Sequence, residues 1–573
     1  MKRKTPLLAG ALSGLVALAS TMTLALTNAN AVTSTAAATA STCTATLTGA
    51  ETWADRFNLH VAVTGSNTWT VSLGLRSGQS LQNSWNANVT AAGSTVTATP
   101  NGSGNNFGVT IMNGGGSNTN WPTVSCTVPG STTPPTTPPT TPPTTPPPSG
   151  SGGDRPHIIL STDMPPVNGI PGGEAGAANM KSDLDDVQTL VRFLAYADDF
   201  HVDGLIASSG TFANYANKQN ILDVINAYAQ VYPNLKLHDA NYPTPDSLRA
   251  VTKQGRDGTW GQSASTILGA GKDSEASDYI ISVVDNATTP VWFVSGGGPR
   301  ELGQALWKVQ NTRSAAALAT FVSKVRAYFI ADQDGSAAWM RDTFPGLFVI
   351  SNNCFTGMAN TGPFNGTWLK TNITTGHGAL GADYPLSHWT YNDQGVYEGD
   401  SPDFLYLLNG TQGLSDPANP ALGSWGGRFQ GSGNRWNCAS EGASSISRWE
   451  SARNWDFANR MNWAVKPYNQ ANHNPTVHLN GDSTQQVLTL NAAAGSTINL
   501  TAAGTTDPDG NTLTYKWYQY PTTAGLTITN STSPTTTLTL PSTHGTQIDI
   551  VLEVTDNGTP NLTSYRRLNI TTQ

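Results

Sequence analysis

The stretch that decides the fold is His157-Ile158-Ile159-Leu160-Ser161-Thr162-Asp163, followed after an interval rich in glycine and proline by Ser182-Asp183-Leu184-Asp185-Asp186. Ile158, Ile159 and Leu160 read as a short buried strand that ends in an acid. Val187, Leu190, Val191 and Leu194 then recur at helical spacing, so the second acidic group opens a helix. A strand, a loop and a helix in that order build a parallel α/β domain, which gathers ligands at the carboxyl edge of its sheet. Asp163, Asp183, Asp185 and Asp186 therefore bring four carboxylates into one neighbourhood, where their repulsion must be offset by a cation or a shared proton. Oxygen donors alone favour calcium or magnesium over zinc. For single acids the competing reading is capping of a helix start. A strand-end acid such as Asp163 needs no such role.

Alternation of strand and helix continues downstream. Strands are expected at 201–208, 291–294, 327–331 and 347–351, with helices at 218–228, 278–284, 304–309 and 315–325. Such alternation implies a mostly parallel sheet with helices on both faces. Three further strand or helix boundaries add polar groups. Ser295-Gly296-Gly297-Gly298 follows one strand, and Asp332-Gln333-Asp334 follows another with Trp339 just beyond. Acids and an amide beside an aromatic suit sugar hydroxyls and a sugar face, so Asp332, Gln333, Asp334 and Trp339 are candidate substrate contacts; a solvated loop is the alternative. Glu398-Gly399-Asp400 precedes another apolar helix, and Trp425 is a further candidate at the cleft, with a structural role equally open.

At these residues the chain resembles the nucleoside hydrolase superfamily, and more closely the nucleoside hydrolase-like domain of secreted cellulose-binding proteins, over residues 155–470. The resemblance implies a calcium site built from Asp163, Asp185, Asp186, Asp400 and a backbone carbonyl, best matched by Gly297. It implies Asp163 as the base that takes a proton from water. The superfamily often places a His before the late Asp as leaving-group acid; Gly399 stands there instead, leaving Glu398, His388 or His377 as substitutes.

The chain has 573 residues, enough for roughly three or four domains. Residues 1–31 read as a secretory signal peptide: a basic Lys2-Arg3-Lys4, an apolar run, and Ala29-Asn30-Ala31. Residues 128–153 carry Thr-Thr-Pro-Pro repeats and then glycines, the composition of an extended linker. Only 12% of residues are charged and the net charge is −8, which argues against nucleic acid or an anionic membrane as partner. Four cysteines in an exported chain suggest disulfides. Cys43 and Cys126 bracket one small domain and are expected to pair; Cys354 and Cys438 are candidates for a second bridge.

Residues 41–127 alternate like the strands of a β-sandwich and resemble family 2 carbohydrate-binding modules, on Cys43, Trp53, Trp69, Trp85, Phe107 and Cys126. By that resemblance Trp53 and Trp85 belong to a cellulose-binding platform and Trp69 to the core. A third platform Trp expected near Pro100-Asn101 is missing. Residues 472–573 turn β again and resemble an immunoglobulin-like sandwich.

Three functions follow from these readings. The leading one is a secreted, calcium-dependent glycoside-type hydrolase held on cellulose or another plant cell-wall polysaccharide, with the bond O- or N-glycosidic. The second is a non-catalytic cellulose-binding protein on a degenerate scaffold. The third is a wall-targeted nucleoside N-ribohydrolase.

Overall fold

The computed structural model describes residues 43–127 and 155–573, apart from 65, 77, 103, 116–120, 211, 523 and 524. The expected signal peptide at 1–31 and linker at 128–153 lie outside the described residues. The chain divides into two compact units, one within residues 1–140 and one within 141–573.

In the first unit two antiparallel four-stranded sheets share one core. One runs Thr44–Thr52, Arg56–Thr64, Asn106–Met112, Ser80–Trp85; the other runs Asn88–Ala92, Thr95–Thr99, Thr70–Gly74, Thr123–Thr127. Period-two burial explains the pairing. In Arg56–Thr64 the residues Phe57, Leu59, Val61 and Val63 point inward, while Asn58, His60 and Ala62 do not. Trp69 is fully buried and stacks on Phe107 with ring centroids 5.4 Å apart. The Cys43–Cys126 disulfide ties the first strand to the last.

The second unit is built on an eight-stranded sheet in the order Thr252–Gln254, His201–Ala207, His157–Thr162, Val291–Ser295, Val325–Ile330, Phe348–Asn352, Arg435–Cys438, Phe429–Ser432. All neighbours are parallel except the last pair. Along His157–Thr162 the side chains alternate between two cores. Ile158 and Leu160 face helices Asp185–Ala195, Lys218–His238, Pro402–Thr411 and Glu450–Trp463, whereas Ile159 faces Glu275–Asn286, Arg300–Thr312, Ala315–Lys324 and Gly335–Thr343. Burial on both faces is why these strands read as unbroken apolar runs. From His157–Thr162 the chain first moves to one side of the sheet and then returns to pair Val291–Ser295 on the other. Asp163 thus emerges at a topological switch point, where loops diverge and leave a crevice.

Residues 472–573 form two β-sheets with their own core. They also close over the central domain: Tyr520, Val551 and Tyr565 belong to the same apolar cluster as Trp425 and Trp449. The fully buried Arg567 donates to the carbonyls of Leu414 and Gly423 across this seam and to that of Tyr520 on its own side.

The second expected bridge is present: Cys354, just past Phe348–Asn352, bonds Cys438 at the end of Arg435–Cys438. It closes a loop of 84 residues. In the chain-entropy picture such a loop contributes roughly 4 kcal/mol. Replacing both Cys354 and Cys438 by Ser is expected to lower the thermal unfolding temperature of the second unit accordingly. An unchanged melt would show that the bridge does not constrain the unfolded chain.

Candidate active site

Thr162 ends the central strand, and its hydroxyl donates to Asp186 Oδ1 at 2.8 Å, joining the strand end to the helix start. Helix Asp185–Ala195 has no side-chain cap at Leu184, so Asp185 and Asp186 lie in its first turn without serving as caps. Helix Pro402–Thr411 likewise lacks a side-chain cap, and Asp400 just before it is turned to the same crevice. Carboxylate oxygens of Asp163, Asp186 and Asp400 all lie within 4.8 Å of one another. These residues are 4%, 3% and 8% exposed, so water screens their charges poorly. Asp183, Asp185 and His388 form an adjoining group with the same spacing.

Glycines let the backbone close around the acids. A Cβ at Gly296 would collide with the Asp400 carboxylate, one at Gly210 would lie 2.5 Å from Asp163 Oδ2, and one at Gly297 2.9 Å from Asp163 Oδ1. The Gly297 carbonyl, the expected backbone ligand, accepts from Ser295 Oγ at 2.7 Å. Gln333 donates to the Gly296 carbonyl and packs against Gly210, so this amide does reach the site.

Burial, first, and then the charge of the neighbouring acids push Asp163, Asp183, Asp186 and Asp400 well above the ordinary carboxylate value. Among the described residues no Lys or Arg forms an ion pair with any of the four; the imidazole of His388 lies beside the cluster, its Nε2 3.8 Å from Asp185 Oδ1. Asp185 Oδ2 accepts from the Gly399 backbone at 2.7 Å, while its buried Oδ1 has no hydrogen-bond donor. An all-oxygen donor set cradled by glycine and lacking a counter-charge fits a hard divalent cation.

Several expected site residues are engaged elsewhere. Glu398 is fully buried with one oxygen accepting from Tyr384 at 2.6 Å and the other 2.5 Å from Arg192 Nε, so its side chain is committed to those partners. His377 lines a different cavity with Trp455, Lys466 and Pro560. Asp332 is held by both terminal nitrogens of Arg341. Asp334 caps helix Gly335–Thr343 through Ser336 N at 2.9 Å and pairs with buried Arg300 at 3.1 Å. Trp339 packs edge-on against Phe344 beside the second core. Trp425 is fully buried in the seam with the C-terminal region, against Tyr565. His388 remains at the rim, stacked on Tyr397 with centroids 4.4 Å apart. Thr162, Gly210 and Gly296 were not picked out as site residues; a small polar or glycine residue at a strand's carboxyl end is the signal that marks them.

In the first unit Trp53 is 42% exposed, with the Arg56 guanidinium 5.2 Å from its ring centroid. Trp85 lies over Gly108 and edge-on to His60 on the same sheet.

Residues 177–429 match the family described as cellulose-binding Sde182, nucleoside hydrolase-like domain, and residues 497–572 match the C-terminal domain of cellulose-binding protein Sde0182. A solved nucleoside hydrolase-related hypothetical protein from Saccharophagus degradans, associated with carbohydrate metabolism, is 36% identical at a TM-score of 0.63. That match covers 73% of this chain and 100% of the other. The chain belongs to the Sde182 family. An internal xylan-binding domain of Cellulomonas fimi xylanase D is 54% identical over 15% of this chain and 98% of that one, at a TM-score of 0.15. The central α/β domain of this Sde182-family chain is thus nucleoside hydrolase-like, between N-terminal and C-terminal β-rich regions.

The acid cluster fixes the sign of a pH effect. Because Asp163, Asp183, Asp186 and Asp400 hold protons more tightly folded than unfolded, the cation-free folded state binds the extra protons. Their contribution to stability is present below the ordinary value of 3.8 and is lost as pH rises through the folded values. Added calcium should therefore raise the melting temperature of chelator-treated protein more at pH 7.5 than at pH 5, where protons compete with it. Asp186→Asn should flatten the difference. Equal calcium effects at both pH values would contradict this electrostatic account.

Proposed function

We propose that this chain is a secreted, calcium-dependent glycoside-type hydrolase that acts on cellulose or another plant cell-wall polysaccharide. The observation that carries the reading is the convergence of the Asp163, Asp186 and Asp400 oxygens at the sheet's switch point. Those three side chains would hold the cation, and a bound calcium would supply Lewis-acid activation of water. Asp163 accepts the proton of the attacking water. Asp185 adds a further carboxylate beside the cluster, grouped with Asp183 and His388, while Gln333 braces the glycine loop through the Gly296 carbonyl. With Glu398 committed to Arg192, His388 is the residue positioned to protonate the departing oxygen. The transition state is oxocarbenium-like, as in glycosyl hydrolysis generally. Membership of a family described as cellulose-binding favours an O-glycosidic bond.

The same proposal assigns residues 41–127 to a family 2-like carbohydrate-binding sandwich with Trp53 and Trp85 on its binding face. It assigns 128–153 to a spacer, 155–470 to the hydrolase-like domain and 472–573 to an immunoglobulin-like sandwich. Two disulfides and the cellulose-binding family support an extracellular setting, with residues 1–31 as the export signal. Among the described residues no helix is long and apolar enough to cross a membrane.

A second reading, a non-catalytic cellulose-binding protein, is favoured by one observation: Gly399 stands where the superfamily often carries its acid, and Glu398 beside it is locked in an ion pair. Release of reducing sugar from cellulose, xylan and mannan separates the two. The hydrolase reading expects activity with calcium, its loss with chelator, and a fall of at least about 100-fold in Asp163→Ala with an intact fold. Retained cellulose pull-down with no product from any substrate would leave the binding protein instead. Free base from inosine or uridine would identify a nucleoside N-ribohydrolase.

A further inference from the structure

Among the described residues of the second unit, five large aromatic side chains are exposed, all in loops outside the helices and strands. Phe212 is 49% exposed, Tyr215 46%, Trp260 63%, Trp389 37% and Tyr391 56%. Phe212 lies between Gly210 and Ala213, and both flanking residues touch Asp163: Gly210 packs on its carboxylate, and the Ala213 backbone N–H donates to it. Trp389 follows His388, and its ring meets Phe212 edge-on at 5.2 Å, linking the Asp163 side of the crevice to the His388 side. Trp260 stands elsewhere on the rim, where Gly261 N donates to the Gln333 carbonyl at 3.0 Å.

These loops are pinned from beneath, so their aromatics are presented and not merely uncovered. Buried Arg300 donates to the carbonyls of Asp257 and Thr259 and to Gln262 Oε1, holding the turn that carries Trp260. Asp257 in turn accepts from Ala216 N at 2.8 Å, which fixes the loop of Phe212 and Tyr215. Trp389 lies across Gly172 and Gly173, where any Cβ would collide with its ring, and Gly173 N donates to its carbonyl at 2.9 Å. Beside Tyr215 opens a cavity of about 330 Å³ lined by Asn179, Asn217, Asn220 and Asp257.

We propose that this rim is a row of sugar-stacking subsites, so the ligand of the central domain is a neutral polysaccharide chain spanning several sugar rings across the acid cluster. The proposal rests on the reading of that cluster as a glycosyl-cleaving site for where the chain is cut. Aromatic faces match the apolar faces of pyranose rings, and the amides and Asp257 match hydroxyls. A single nucleoside or monosaccharide would occupy one of these rings and leave the others in water. Glu174 accepts from Tyr391 N at 3.2 Å and Asp257 lines the cavity beside Tyr215 together with Lys181; with the acid cluster itself, this excess of acids disfavours a polyanionic chain.

The test uses the full chain carrying Trp53→Ala and Trp85→Ala, which mutes the N-terminal aromatics, and calorimetric titration with cello-oligosaccharides and xylo-oligosaccharides of two to six units. Affinity should rise with chain length. Trp260→Ala should weaken the hexasaccharide about tenfold without changing the melting temperature, with the loss confined to longer chains. Phe212→Ala should act in the same direction. Affinity that does not depend on length, or a Trp260→Ala variant that binds the hexasaccharide as before, overturns the proposal. Hydrolysis is scored separately. Length-dependent binding without product keeps the subsites and removes the hydrolase reading; cleavage of short glycosides without length dependence does the reverse.

Discussion

Like charges packed where water cannot reach them set the terms for the rest of this molecule. Asp163, Asp186 and Asp400 come from three distant segments, yet their oxygens share a volume a few ångströms across with no Lys or Arg ion-paired to them among the described residues. Isolated carboxylates in such a place would protonate or push the loops apart. The fold tolerates them because the parallel sheet, buried on both faces, fixes the strand ends, and because glycines at 210, 296 and 297 remove the side chains that would otherwise fill the space. A rigid scaffold and an unmet charge are the conditions under which a cation becomes part of the structure.

Rings of support surround that centre. Thr162 orients Asp186, Gly399 orients Asp185, and Gln333 braces the glycine turn. Farther out, Arg300 and Asp334 neutralise each other in the interior and hold the loops of the rim. Burying that pair has a desolvation cost, and its return is geometric: loops that would otherwise wander are kept in register with the crevice.

How much of this was legible in the residues depended on distance along the chain. The strand ending in Asp163 and the helix opening at Asp185 showed themselves through period and punctuation, so the sheet and its acidic edge could be read directly. Asp400 was readable because an acid before an apolar helix is a local pattern. Glu398, only two residues away, was misread for the opposite reason. Its backbone sits at φ 36° and its carboxylate turns into the helical layer to meet Arg192, a partner that no neighbouring residue announces. Asp334 is claimed in the same way by Arg300, and Trp425, open in the sequence to either role, takes the structural one against Tyr565 of the C-terminal region. Glycines 172 and 173, within the interval rich in glycine and proline, form the floor beneath Trp389. Exposure itself leaves no periodic trace in a loop, so the aromatic rim was invisible until the fold was known.

Arg567 gives the C-terminal region a status its sequence would not suggest. A guanidinium drawn out of water and satisfied by carbonyls from both sides of the seam, beside a shared patch of Trp425, Trp449 and Tyr565, makes residues 472–573 a wall of the central domain and not a detachable tail. Swapping modules at that junction would strip the cover from a tryptophan-rich interior, so shuffling of this architecture is constrained at its downstream end.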